Sequence, residues 1–272
     1  MDVQKFKKTI WSYYRAHGRK LPWRHISDPY KILVSETMLQ QTQVARVLKK
    51  YAEFITKFPT VTSLAKSPLK EVLIAWQGLG YNRRAVNLKK TAEEITNNFK
   101  GKFPQERDVL LRLPGIGQST AGALLSFTWN IPTTFIETNI RSAFIHFFFP
   151  RSHKVDDKKL LPLIEQTVPK IFTLPEKGPR DWYYALMDYG VMLKQSENPS
   201  RKSTHHLKQS SFKGSHREKR SFILKHLLRT GPQTYEEIVK ALSLKKQDVK
   251  LVLNTYVVEG VLTKKQDIYM IV

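Results

Sequence analysis

From Asp2 to Leu193 the chain reads as one amphipathic helix after another, joined by short turns marked by Gly or Pro. No stretch in this part alternates with period two for long enough to demand a sheet. Asp28-Pro29 reads as an N-cap followed by proline in the first turn, opening a helix through YKILVSETMLQQ. LKEVLIAWQ is a further helix, stopped by Gly78 and Gly80, and RRAVNLKKTAEEIT is the next. The N-terminus, MDVQKFKKTIWSYYRAHGRK, interleaves polar and aromatic residues and lacks both a continuous apolar core and a small-residue cleavage site. It reads as a first helix and not as a signal peptide, which makes the cytoplasm the expected compartment. Residues 1–193 are therefore expected to form an all-α domain.

The pattern changes after Leu193. From Lys194 to Ser215 the periodic apolar residues disappear and Ser, Lys, His and Asn dominate, so residues 194–215 are expected to be a basic linker. Periodicity returns in REKRSFILKHLLRTG, TYEEIVKALSL and KKQDVKLVLNTYVVEG, followed by two short β-type runs around Lys264–Asp267. Helix, helix-turn-helix and hairpin make residues 216–272 a small winged-helix domain.

Charge narrows the partner. Lys and Arg total 46 against 23 Asp and Glu, a formal net charge of +23. Such an excess points to a polyanion, nucleic acid first. No apolar run approaches the roughly 20 residues that span a bilayer, so a basic integral membrane protein is excluded and no membrane partner is expected. The chain has no cysteine, which rules out disulfides, zinc–thiolate sites and thiolate-held iron–sulfur clusters. His205-His206 has no periodic carboxylate partner, and no metal is expected there.

Three stretches could carry chemistry. LPGIGQSTAGALL, residues 113–125, sets two glycines between helices. Without Cβ atoms, Gly115 and Gly117 let backbone N–H groups approach a phosphate at a helix N-terminus, the helix-hairpin-helix way of gripping DNA backbone. In SETMLQQTQV, residues 35–44, Glu36 sits mid-helix among Leu33, Val34, Met38 and Leu39, with Gln40 one turn on and Gln41 beside it. On pattern alone Glu36 is a partly exposed surface residue. FIETNIR, residues 135–141, puts Glu137 directly after Phe135 and Ile136. It is either a helix cap or a catalytic carboxylate held at a helix end.

LPWR (21–24), SETMLQQTQV, QGLGY (77–81), LPGIGQSTAGA and MDYGVM (187–192) follow one another as in MutY-type adenine DNA glycosylases of the helix-hairpin-helix superfamily. The resemblance covers roughly residues 5–193. It implies a two-lobed α-helical domain that holds DNA and a flipped base between its lobes. It also implies that Glu36 is the general acid that protonates the adenine ring at N7, its pKa raised by apolar neighbours. Gln40 and Gln41 match residues that wedge into the duplex, and Tyr81 an aromatic wedge on the opposite strand. Arg24, Gly115, Gly117, Gln118, Ser119 and Arg141 fall in DNA-contacting motifs.

Within the superfamily, strand-cutting members carry a lysine where this chain has Ser119; a serine cannot form a Schiff base, which implies base removal without strand scission. Glu137 falls where the superfamily places an aspartate that stabilises the cationic sugar. Glu is one methylene longer, and Asn139 and Arg141 stand ready to hold it or a phosphate. Lys194, Arg201 and Thr204 occupy positions where the family has cluster-binding cysteines, so a clusterless variant without cofactor is implied. The C-terminal module that reads 8-oxoguanine in the family is replaced here by the winged helix. A monomer acting on double-stranded DNA with adenine opposite 8-oxoguanine or guanine is expected. The alternatives are excision of thymine or uracil opposite guanine, or a damaged-DNA-binding protein whose enzyme site has drifted.

Overall fold

The computed structural model describes residues 2–171, 177–208 and 211–272. In chain order it contains α1 (Val3–His17), α2 (Pro29–Leu39), α3 (Val44–Lys57), α4 (Val61–Lys66), α5 (Leu69–Trp76), α6 (Arg83–Asn98), α7 (Arg107–Arg112), α8 (Gln118–Trp129), α9 (Thr138–Phe148), α10 (Asp157–Thr167) and α11 (Pro179–Ser196). Then come α12 (His216–Thr230), β1 (Gln233–Thr234), α13 (Tyr235–Leu242), α14 (Lys246–Val258), β2 (Leu262–Lys265) and β3 (Ile268–Ile271). Local chemistry sets many of the ends. Asp28 accepts from the backbone N–H of Tyr30 and Lys31 at 2.9 and 3.2 Å, opening α2. Thr60 with Ser63, and Thr234 with Glu237, form reciprocal capping boxes at the starts of α4 and α13. Among the described residues no helix is long and apolar enough to cross a membrane.

The chain divides into two compact units. The first comprises Met1–Leu33, Gln105–Arg112 and Ile116–Lys208. Its core is aromatic: Phe6 meets the rings of Phe144 and Trp182 at 5.0 and 5.8 Å, and Phe127 stacks on Tyr184 at 4.5 Å. α9 and α11 run side by side in the same direction, since Gly190 meets Asn139 in the first turn of α9 and, seven residues on along both, His146 pairs with Glu197, the C-cap of α11.

The second unit comprises Val34–Pro104, Leu113–Gly115 and Gln209–Val272. Phe54, Phe58 and Trp76 fill the middle of its α3–α6 part. In the C-terminal part, α12, α13 and α14 are joined by a three-stranded antiparallel sheet of order β1-β3-β2. The register Leu262↔Ile271 through Lys265↔Ile268 makes β2–β3 the expected hairpin, while the two-residue β1 was too short to show periodicity. Residues 34–104 thus group with the C-terminal segment in this unit.

The expected linker is corrected over its first half. α11 continues to Ser196, a 3-10 turn covers Pro199–Lys202, and Ser200 and Ser203 are buried. Val155 donates its N–H to the Lys202 carbonyl at 2.8 Å, and Thr204 donates to the Val155 carbonyl at 3.1 Å. Backbone hydrogen bonds and short polar side chains order this stretch, so apolar periodicity could not reveal it. Gln209 and Ser210 lie outside the described residues.

Candidate functional site

FIETNIR is a helix cap held by an aromatic anchor. Phe135 is buried against Tyr183, ring centroids 4.1 Å apart, and this anchors the extended approach to α9. Two residues on, Glu137 is the N-cap of α9. Its Oε1 accepts from the backbone N–H of Asn139 and Ile140 at 2.7 and 2.8 Å, and Oε2 accepts from the Asn139 amide at 3.0 Å. Burial pushes this carboxyl above the ordinary carboxylate range. The two N–H groups and the charges of Lys194 and Arg141 oppose that shift without cancelling it.

Lys194 was noticed in the sequence only as a missing cysteine. In the structure it stands one turn beyond Gly190 on α11, near enough for its charge to act on Glu137. Burial lowers its own pKa. Arg141, expected at phosphate, forms a two-pronged ion pair with Asp157 at 2.7 and 2.6 Å. Its charge is therefore spent largely inside the unit. Arg24 is a clearer correction: it is buried, donates to both oxygens of Asp188 at 2.8 and 2.7 Å, and lies 4.5 Å over the Tyr184 ring. It holds the interior together and is not offered to DNA. Asp188, of the MDYGVM motif, is the anchor that motif encodes.

In the second unit, Glu36 is half-buried on α2, flanked by fully buried Val34, Ser35 and Met38. Beyond the helix, Gln41 has φ of 55° and Tyr81 of 49°, left-handed values that non-glycine residues adopt at a cost. One side chain holds both turns. Arg84 Nη1 donates to the carbonyls of Thr37, Met38 and Gln40 at 2.7, 3.0 and 2.6 Å. Its Nη2 donates to the Thr42 hydroxyl and to the carbonyls of Leu79 and Gly80, each at 3.1 Å. Burial brings the Arg84 pKa down to about 10. Sequence reading passed over Arg84 because nothing in RRAV distinguishes it from Arg83. Gln40, Gln41 and Tyr81 consequently line one cavity.

At the hairpin, Gly115 has φ of +77°, and a Cβ there would stand 2.8 Å from Asn87 Cβ. Thr91 donates to the Pro114 carbonyl at 2.7 Å. Gly117 is the N-cap of α8, which has no side-chain cap, and nothing lies within 4 Å of where a Gly117 Cβ would be. The Gln118 amide oxygen accepts from Arg107 at 2.9 Å, and Ser119 is half-buried in the first turn of α8.

The residues at the family's cluster positions do not fit an iron–sulfur cluster. Lys194 carries an amine, which is no iron ligand of the thiolate kind and whose charge acts on Glu137, and Thr204 is tied by its backbone to Val155. No thiolate exists in the chain to replace them.

A glycine hairpin opens α8, and a half-buried carboxylate caps the next helix, α9. The family model of the HhH-GPD superfamily base excision DNA repair protein matches residues 34–170, half of the chain, and the chain belongs to that superfamily. It is similar to the adenine DNA glycosylase of Buchnera aphidicola subsp. Baizongia pistaciae (strain Bp), 40% identical over 200 residues that make up 73% of this chain and 56% of that protein. It is also similar to the thymine/uracil-DNA glycosylase of Pyrobaculum aerophilum, 30% identical over 204 residues, covering 73% of this chain and 87% of that one. The solved structure of a thermostable thymine-DNA glycosylase matches at TM-score 0.62 and 27% identity, covering 73% of this chain and 90% of that chain. The chain spans about half the length of the adenine DNA glycosylases it matches.

Proposed function

We propose that the protein is a monofunctional DNA glycosylase that hydrolyses the N-glycosidic bond of adenine mispaired with 8-oxoguanine or guanine. The observation that carries this reading is Glu137: a half-buried carboxylate at a helix start, with both oxygens held and with a lysine whose charge acts on it. Glu36 donates a proton to the adenine ring, so the base departs with the glycosidic electron pair. Glu137, ionised, stabilises the oxocarbenium-like sugar left behind and orients the water that adds to C1′, the water's second proton passing to solvent. The open N-terminus of α8 behind Gly117 is suited to a DNA phosphate. Ser119 offers no amine, so an abasic site is the product.

A second reading has its own support. The protein of Pyrobaculum aerophilum, which this chain matches over most of its length, is named for thymine and uracil. The carboxylate chemistry is compatible with either base.

Single-turnover base release separates the readings. Duplexes carrying adenine opposite 8-oxoguanine, thymine opposite guanine or uracil opposite guanine are incubated with protein and then treated with alkali. Release from the adenine duplex that vanishes in Glu36→Gln supports the first reading. Release confined to the thymine or uracil duplexes supports the second. No release from any duplex that the protein nevertheless binds would leave a damaged-DNA-binding protein. Borohydride trapping of a protein–DNA adduct would contradict the assignment of Ser119.

A further inference from the structure

The cavity that Gln41 and Tyr81 line has a volume of about 1100 Å³ and a second wall built by α12 and Phe212 of the C-terminal segment. It is larger than a single small-molecule site needs. Arg46, Arg83 and Lys225 line it, are exposed, and form no ion pair among the described residues. The carboxylate in its lining, Glu259, is already neutralised by Arg220, whose two terminal nitrogens donate to it at 3.1 and 2.5 Å. The cavity is therefore cationic, and three of its cations, Arg46, Arg83 and Lys225, stand outside any ion pair among the described residues.

Flat faces accompany the charge. Phe212 is 53% exposed at the rim, so its ring face is open to a stacking partner. Arg217 of α12 reaches Tyr81: Nη1 donates to the phenol oxygen at 3.3 Å, and the guanidinium carbon lies 5.8 Å from the ring centroid. The C-terminal segment is thereby linked to the residue assigned to enter the duplex. No residue of α14, the second helix of the helix-turn-helix, lines the cavity.

We propose that α12, with Phe212, forms a second strand-binding face, in which a segment of DNA strand sets its phosphates on Arg46, Arg83 and Lys225 and a base against Phe212 and Tyr81. Cations interleaved with aromatic faces suit a nucleic acid strand better than an acidic peptide, which needs no stacking platform. The proposal rests on the reading of the protein as a DNA glycosylase, but concerns binding and not bond cleavage. It gives the winged helix a role through its first helix.

The test is fluorescence anisotropy of the full chain on a duplex with a stable abasic-site analogue opposite guanine, over a range of salt. The variants are Arg46→Ala/Lys225→Ala, Phe212→Ala and, as a control on α12 outside the cavity, Arg229→Ala. The double variant is expected to bind about tenfold more weakly, with a log–log salt slope shallower by nearly two, roughly 0.9 per lost phosphate contact. Phe212→Ala is expected to weaken binding with the slope unchanged. Wild-type affinity and slope in the cavity variants would overturn the proposal, as would losses equal to that of Arg229→Ala. Tight wild-type binding without base release from any duplex would sink the glycosylase reading and leave this site standing. Absence of wild-type binding would sink both.

Discussion

Gly190 on α11 lies directly against the carbonyl of Asn139 on α9: a Cβ at position 190 would stand 2.1 Å from that oxygen. Asn139 is the residue whose N–H and amide hold Glu137. Gly190→Ala is therefore expected to push the first turn of α9 away and to move Glu137 with it. Overpacking of this kind costs about 1–3 kcal/mol, and a displacement of about 1 Å at a reacting centre can cost a hundredfold in rate. Urea denaturation beside single-turnover base release checks it. A variant with unchanged stability and rate would show that the contact sets nothing.

Asp188 accepts from Arg24 and also from the Arg19 backbone and side chain at 2.8 and 2.6 Å, and it is almost completely buried. Burial alone would raise its pKa, but Arg24 and then Arg19 outweigh that and hold it below the ordinary value. A lowered carboxylate pKa contributes stability that is present above the unfolded pKa and lost as pH falls through the folded one. Asp188→Asn is expected to cost about 3–5 kcal/mol at neutral pH, because it leaves Arg24 charged and unmatched in the interior. The cost should shrink in acid, below the ordinary carboxylate range, where wild-type Asp188 also loses its charge. Denaturant midpoints at neutral and acid pH measure this.

Glu137 has the opposite sign. Its folded pKa is raised, chiefly by burial, so its contribution to stability is fullest below the unfolded carboxylate pKa and is lost as pH rises through the folded one. Glu137→Gln keeps an oxygen to accept from Ile140, so its stability relative to wild type is expected to improve between acid and neutral pH. Base release behaves inversely, since the sugar cation needs the ionised form. The acidic limb of the wild-type rate profile is expected above the usual carboxylate range, and Glu137→Gln should abolish release. An acidic limb at an ordinary carboxylate pKa would contradict the burial argument.

Arg84 gathers the carbonyls at the end of α2 and those of the Leu79–Gly80 turn on one guanidinium. Arg84→Met keeps the bulk and removes every donor. Charge-assisted hydrogen bonds contribute about 1.5–3 kcal/mol each, not additively, so a loss of at least about 3 kcal/mol is expected. Both positive-φ residues, Gln41 and Tyr81, should relax together. Faster amide hydrogen exchange confined to residues 39–43 and 78–83 is the expected signature, and exchange unchanged in either turn would refute the coupling.

The helices, the glycine hairpin and the C-terminal β2–β3 hairpin were legible in the sequence because each is encoded by neighbours: a 3.6-residue apolar period, an N-cap, a turn residue. The stretch 194–204 was not, because contacts with Val155, far away in the chain, order it. Site residues divide in the same way. Residue type and spacing marked Glu137 and the Gly115–Gly117 turn as places where chemistry could occur, and the resemblance to a glycosylase family marked Glu36 and Ser119. Only the tertiary structure decided what each charge is for. It placed Arg24 on buried Asp188, Arg141 on Asp157, Lys194 beside Glu137, and Arg84 under the two turns that present Gln41 and Tyr81. The physical reason is that local sequence specifies backbone geometry over a few residues, whereas the state of a charge depends on partners and burial supplied by distant elements, 169 residues away for Arg19 and Asp188.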